Sequence, residues 1–355
     1  MSPSPPPEAK SLAEHRKRAA ILGTGLIGAS FGIGLRGLGW VVVGWDPDEE
    51  AAAGAIRCGA VDGMAATPEE ALADADLVVL AGPPLAIEET LRTLGTDALV
   101  TDVAGVKAPM VEAARHLPRY VGGHPMAGRE SSGPAGASGS LFRGATWVLT
   151  PDGAGGDEVA TMEELVRGLG AVPVRMDATE HDAAVAAISH LPQVVASALV
   201  NRVARDPAAL DLAAGGFRDL TRIALSDPTW WADVLIENRK ELGALLRKLS
   251  QDLSAWADLI ESEDRASVGA EMLAARTARR SMAAPVTAVG VVLEDRPGEI
   301  ARVGHALETS GVDLRDLQLR HATHGGGGVL TLSVRAAEAE RLRSALVADG
   351  LRLLD

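Results

Sequence analysis

Residues 18–28, Arg18-Ala19-Ala20-Ile21-Leu22-Gly23-Thr24-Gly25-Leu26-Ile27-Gly28, decide how this chain folds. A short apolar run ends in a Gly-x-Gly-x-x-Gly loop, and a helical stretch opens directly after it. The glycines permit a tight turn and let a pyrophosphate approach the backbone, while the new helix offers free N–H groups and the positive end of its dipole. Alone, that spacing is a weak signal. Here a second apolar run, 40–45, leads to Asp46, 18 residues beyond Gly28, where an acid can accept ribose hydroxyls. Asp46 would repel a 2′-phosphate, and Pro47, Asp48, Glu49 and Glu50 after it bring no Arg, so the expected cofactor is NAD rather than NADP. Gly23, Gly25, Leu26, Ile27 and Gly28 form the expected cofactor loop, and Gly82 and Pro83, after the run 77–81, are expected beside it.

Outward from this loop, apolar runs at 19–22, 40–45, 77–81, 99–103, 120–122, 146–149 and 171–175 alternate with Ala-rich helical stretches. Continuous apolar runs separated by helices predict a mostly parallel sheet covered on both faces, here over residues 18–177. From 178 to 282 the strand-like runs stop and helical periodicity takes over; Leu242, Leu245, Leu246, Leu249 and Leu253 fall on one face of a helical stretch expected over 231–259. Such a block is expected to be all-α and to pack against a second copy of itself. Ala283-Ala284-Pro285 reads as a hinge. Residues 286–355 then spell strand, helix, strand, strand, helix, strand (287–293, 299–310, 312–321, 329–334, 337–348, 351–354), the ferredoxin-like βαββαβ arrangement. Residues 1–17, rich in Pro, Ser and charge, read as a flexible tail without the apolar centre of a signal peptide.

Composition sets outer limits. Of 355 residues 47% are hydrophobic, which excludes wholesale disorder, and only 3% are aromatic, so the cores must be built from Ala, Val, Leu and Ile. A formal charge of -14 argues against a nucleic-acid partner, which needs basic surface. It leaves room for small anions, since one or two Arg residues can hold a carboxylate. Cys58 is the only cysteine, so no intrachain disulfide forms, and a reducing cytoplasm is expected. No stretch of about 18 apolar residues is expected to cross a membrane. His321 and His324 resemble half of a metal site, but no further ligands accompany them and no metal is expected.

Further segments carry a resemblance. Thr101-Asp102-Val103-Ala104-Gly105-Val106-Lys107, Gly123-His124-Pro125-Met126-Ala127-Gly128-Arg129-Glu130-Ser131-Ser132-Gly133, Ser189-His190-Leu191-Pro192 and Gly216-Phe217-Arg218-Asp219-Leu220-Thr221-Arg222-Ile223-Ala224, followed by Ser226-Asp227-Pro228 and Trp231, resemble the TyrA family of prephenate and arogenate dehydrogenases over roughly residues 18 to 260. The resemblance implies a Rossmann-like domain followed by an intertwined helical dimerisation domain, and hence a homodimer. It implies NAD-dependent oxidative decarboxylation of prephenate, or of its amino analogue arogenate, in tyrosine biosynthesis. The last 70 residues resemble an ACT domain, a module that binds amino acids: Asp295-Arg296-Pro297-Gly298-Glu299-Ile300 matches its first turn. Asp295, Pro297 and Gly298 are the expected effector contacts, with tyrosine as the expected effector.

In that chemistry hydride leaves a ring carbinol carbon, its hydroxyl loses a proton, and carbon dioxide departs as the ring becomes aromatic. The resemblance assigns the proton to His124, whose type of side chain titrates near working pH. It assigns a substrate carboxylate to Arg222, with Asp219 three residues earlier on the same expected helix to orient it. Ser189, Gln193, Glu130 and Trp231 are expected around the substrate, and Asp102 near the cofactor. The chain departs from the family pattern twice: Gly105 stands where a Ser is usual, and Gln193 where a His is common. Those departures keep open a regulator that binds NAD and amino acids without catalysis. A generic β-hydroxyacid dehydrogenase would share the glycine loop but not the His-Pro-Met-Ala-Gly block.

Overall fold

The computed structural model describes residues 16–128, 133–281, 286–321 and 327–354. Glu130, His324, the hinge 283–285 and nearly all of the expected tail lie outside the described residues. The chain divides into two compact units, 1–251 and 252–355.

In the first unit, β1 (Arg18–Leu22), β2 (Val41–Trp45), β3 (Gly63–Met64), β4 (Leu77–Leu80) and β5 (Leu99–Asp102) form a sheet in the order β3-β2-β1-β4-β5. Every pairing in it is parallel. Alternate residues of each strand feed opposite cores. Ala19, Ile21, Val42 and Val79 pack with Phe31, Phe142 and Trp147 on one face, and Ala20, Leu22, Val78, Leu80 and Val100 with Ile87, Leu91 and Met110 on the other. Burial on both faces is why these strands read as unbroken apolar runs. The three aromatics are completely buried, each worth on the order of 2–3 kcal/mol of transfer free energy.

The expected single sheet is in fact two. β6 (Gly122–Pro125), β7 (Thr146–Thr150) and β8 (Val172–Arg175) form a separate sheet in that order, with β6 antiparallel to β7. The run 120–122 does not make a strand of its own. Tyr120 makes only an isolated bridge to Val100, and its hydroxyl donates to Asp102 at 2.6 Å. β3 escaped the sequence reading because two residues carry no pattern.

After β8 the chain is helical. Ala178–Val185, a π turn at Ala186–His190 and Leu191–Val203 run on as one 26-residue helix. It contains an 18-residue window of mean hydropathy 1.7, so the expectation that no segment is long and apolar enough to cross a membrane fails on length and composition. Its apolar run is broken only by polar residues such as His190 and Gln193, both buried in the fold. The helical stretch expected over 231–259 is two helices, Pro228–Glu237 and Arg239–Glu261. They part at Asn238, which is buried and spends its amide on other elements.

In the second unit, β9 (Val286–Leu293), β10 (Leu314–His321), β11 (Gly328–Arg335) and β12 (Arg352–Leu354) form an antiparallel sheet in the order β10-β11-β9-β12. Val289, Val291, Leu330 and Leu332 pack with Val303, Leu342 and Leu346 of the helices Glu299–Ser310 and Ala339–Ala348. That is the ferredoxin-like arrangement the strand and helix pattern requires.

Candidate active site

Gly23 follows β1 with φ +98°, a left-handed value glycine adopts at little cost. A Cβ there would lie 2.6 Å from the backbone of Ala81, and one at Gly28 would lie 2.0 Å from Gly23 O, so the strand, loop and helix close together only as glycines. Gly25 is different: a Cβ on it would meet nothing within 4 Å. It precedes the helix Leu26–Gly37, whose first turns carry Leu26 and Ile27, and it leaves the helix N-terminus open to an anion. Asp46 stands beside the loop and accepts from Thr24 N (2.6 Å), Thr24 Oγ1 (3.1 Å) and Asp48 N (2.9 Å). Gly23, Trp45, Pro47, Gly82 and Pro83 line one cleft of about 510 Å3 at the carboxyl ends of β1, β2 and β4. The residues present fit a dinucleotide. A larger recess of about 610 Å3, near Lys17, Trp40 and Arg119, lies at the amino ends of the strands, opposite to where open α/β sheets bind ligands.

Asp102, expected near the cofactor, turns its side chain inward. Its side chain is completely buried at the end of β5 and paired with the equally buried Lys107. It also accepts from Ala104 N at 2.7 Å and from the Tyr120 hydroxyl. Lys107 Nζ in turn donates to Gly123 O at 2.8 Å. With its oxygens taken up inside the protein, Asp102 ties β5 to the strand that carries His124.

His124 is the third residue of β6 and remains partly exposed. Its Nδ1 lies 2.8 Å from Nε2 of His181, the rings meeting edge to face at 5.1 Å between centroids. His181 Nδ1 lies 2.8 Å from Asp182 Oδ1. Asp182 also accepts the main-chain N–H groups of Lys107 (2.7 Å) and Ala108 (2.8 Å), so the long helix is fastened to the loop after β5. Burial, and then the neighbouring His181, Lys107 and His190, hold the His124 ring well below the usual histidine range, and it is neutral at pH 7. Gly105 is buried beneath it: a Cβ there would sit 3.7 Å from His124 Nε2.

The other expected residues are placed as follows. Ser189 is half-buried in the π turn and Gln193 is buried one turn on. Trp231 is half-buried against the second core, edge-on to His190 at 5.9 Å between centroids. Asp219 and Arg222 do not share a helix: Gly215–Thr221 ends between them and Arg222 opens a 3-10 turn, Arg222–Leu225, both segments packing on the helix that bears Gln193. Sequence reading missed His181, Asp182 and Asn238. Their one signal was ionisable and amide side chains set into otherwise apolar helices. In the second unit a cleft of about 370 Å3 is lined by Asp295, Arg296, Gly298, Glu299 and Ile300, with Gly298 (φ +94°) at the start of its helix. Pro297 is exposed beside it.

Residues 32–175 match the nucleotide-binding domain of prephenate dehydrogenases, and residues 177–274 match their dimerization domain. The chain is 30% identical to the prephenate dehydrogenase of Bacillus subtilis, the match covering 89% of this chain and 91% of that one. It superposes on the Aquifex aeolicus prephenate dehydrogenase, solved with hydroxyphenyl propionate and NAD+, with TM-score 0.71 and 28% identity, covering 76% of this chain and all of that one. The Synechocystis arogenate dehydrogenase gives TM-score 0.65 at 28% identity, covering 75% of this chain and all of that one.

Proposed function

The chain belongs to the prephenate dehydrogenase family, and from that premise we propose that it oxidises and decarboxylates prephenate to 4-hydroxyphenylpyruvate with NAD, in tyrosine biosynthesis. The observation that carries this reading is His124: a neutral, partly exposed imidazole whose Nε2 lies 3.7 Å from where a side chain on Gly105 would begin. NAD, when bound, accepts the hydride from the ring carbinol carbon. His124 takes the proton of the hydroxyl on that carbon, because a neutral ring can accept it at working pH. Asp46 holds ribose hydroxyls and the loop Gly23 to Gly28 cradles the pyrophosphate. Arg222 holds a substrate carboxylate, Asp219, Ser189, Gln193 and Trp231 complete the pocket, and Glu130 is assigned to the substrate by the resemblance alone.

Gln193 keeps the arogenate reading beside this one without deciding between them. Gln193 is buried and carries an amide rather than an imidazole, and an amide can accept a hydrogen bond from arogenate's ammonium or donate one to prephenate's keto group. NADH production measured side by side with prephenate and arogenate decides between them. Higher kcat/KM with prephenate supports the first reading, and production from neither substrate defeats both.

The same proposal assigns residues 18–177 to cofactor binding, 178–282 to substrate and dimerisation, and 286–355 to an ACT-like regulatory domain. Ile188, Leu220, Leu225 and Ile236 are exposed hydrophobics within the matched dimerization domain, which supports a homodimer. Of these, Ile188 lies on the apolar helix Ala178–Val203, and the proposal has that helix pack against a second copy of the chain. The cleft at Asp295 and Gly298 suits an amino acid, whose carboxylate a helix N-terminus can receive. Tyrosine, the end product, is the proposed effector. A single cysteine accords with a cytoplasmic enzyme.

A further inference from the structure

Two hydrogen bonds in series join His124 to Asp182, and the donor in each follows by elimination. The Asp182 carboxylate already accepts two main-chain N–H groups, from Lys107 and Ala108, and has no proton to give. Its 2.8 Å contact with His181 therefore places a proton on His181 Nδ1. When the ring carries that proton alone, His181 Nε2 is an acceptor, and the 2.8 Å contact with His124 then places a proton on His124 Nδ1. That leaves the lone pair of His124 on Nε2, the nitrogen facing the space over Gly105. The opposite tautomer would present an N–H there and could accept nothing.

The geometry points to His181 and Asp182 as positioning residues that hold His124 in its proton-accepting tautomer and steady the imidazolium formed when it takes the substrate's hydroxyl proton. This rests on the reading of His124 as the base. In that step the substrate O–H bond breaks and an Nε2–H bond forms. The protons on Nδ1 of His124 and of His181 stay where they are, and the hydride departs separately from carbon. The charged and titratable groups around the new imidazolium are few. A charge on His181, and after it Lys107 and His190, disfavours it, and Asp102 and the Tyr120 hydroxyl are turned to one another and to Lys107. Asp182, acting through His181, is the carboxylate aligned to offset it. The arrangement follows the logic of a serine-protease triad, where a buried carboxylate fixes a histidine tautomer, with a second histidine interposed.

The test uses the full chain, with kcat and KM measured for prephenate and NAD in wild type, His124→Gln, His181→Phe and His181→Gln. Phe fills the ring's volume but offers His124 no acceptor. Gln can accept from His124 through its carbonyl and donate to Asp182 through its amide. His181→Phe should lower kcat by roughly 10- to 10³-fold, short of the ~10⁴ that follows complete loss of a correct tautomer, with both KM values little changed. His181→Gln should recover a large part of that loss. Wild-type kcat in His181→Phe, alongside a lost kcat in His124→Gln, overturns the positioning role and leaves the base intact. Wild-type kcat in His124→Gln overturns the base and this inference with it. Should the Phe variant fail to fold, histidine-selective 15N spectra of the wild type decide: a protonated Nδ1 and a bare Nε2 on His124 support the assignment, and the reverse overturns it.

Discussion

The amide nitrogen of Asn238 lies 3.1 Å from Nδ1 of His190 and donates to it, while also donating at 2.8 Å to the main-chain oxygen of Asp182. One side chain, placed where two helices part, thus braces the helix that supplies His181 and Asp182. The contact also assigns the His190 proton to Nε2 and leaves the ring neutral. Burial lowers the His190 pKa to about 4, with the nearby Asp182 opposing the shift in part.

Acid stability should reflect this. In the unfolded chain His190 titrates near ~6.5, so above that pH both states carry it neutral and it adds no pH dependence. Below, the unfolded chain binds a proton that the folded ring refuses, so stability falls as pH drops from about 6.5 towards about 4. The lowered His124 acts in the same direction. Thermal unfolding midpoints across this range should decline in the wild type and decline less in His190→Gln. Identical acid limbs in the two proteins would show that His190 is not the group responsible.

The contrast between what the sequence showed and what it hid is physical. The cofactor loop was legible because its glycines, strand and acid act within 28 residues and each has a local conformational reason. The ferredoxin-like unit was legible because its strands and helices carry clean periodicities. The His124–His181 and Asn238–Asp182 contacts span 57 and 56 residues and leave no local trace. The inward pairing of Asp102 was hidden because a motif reveals neighbours in sequence but not burial, and Lys107 beside it is completely buried as well.

Cofactor choice follows from Asp46. Its carboxylate is oriented by Thr24 and Asp48 at the open side of the glycine loop, where a 2′-phosphate would meet a fixed negative charge. kcat/KM should be higher with NAD than with NADP. Equal or better values with NADP would remove Asp46 from the cofactor site.

Gly105 leaves room that a serine would fill without strain, since its Cβ would make ordinary contact with His124 Nε2 at 3.7 Å. A water between polar partners can take the place of the missing hydroxyl, with looser positioning. Gly105→Ser should raise kcat by about tenfold or less. Gln193→His should shift the ratio of kcat/KM for prephenate over arogenate while leaving the NAD constants alone. A slower Gly105→Ser together with an unchanged ratio in Gln193→His would refute this account of the pocket.

The ACT-like unit should bind tyrosine and inhibit. Calorimetry on the full chain should show saturable heat with tyrosine, weakened by Asp295→Ala at the mouth of the cleft. An intact chain that binds no aromatic amino acid would limit this unit to a structural role.

The central claim is that His124 is the general base for oxidation of prephenate, and pre-steady-state and steady-state NADH formation by His124→Gln tests it most directly. The account predicts a kcat lowered by roughly 10²–10⁴ with KM for NAD unchanged, as for a lost proton acceptor. Near-normal kcat in a folded His124→Gln protein would contradict it.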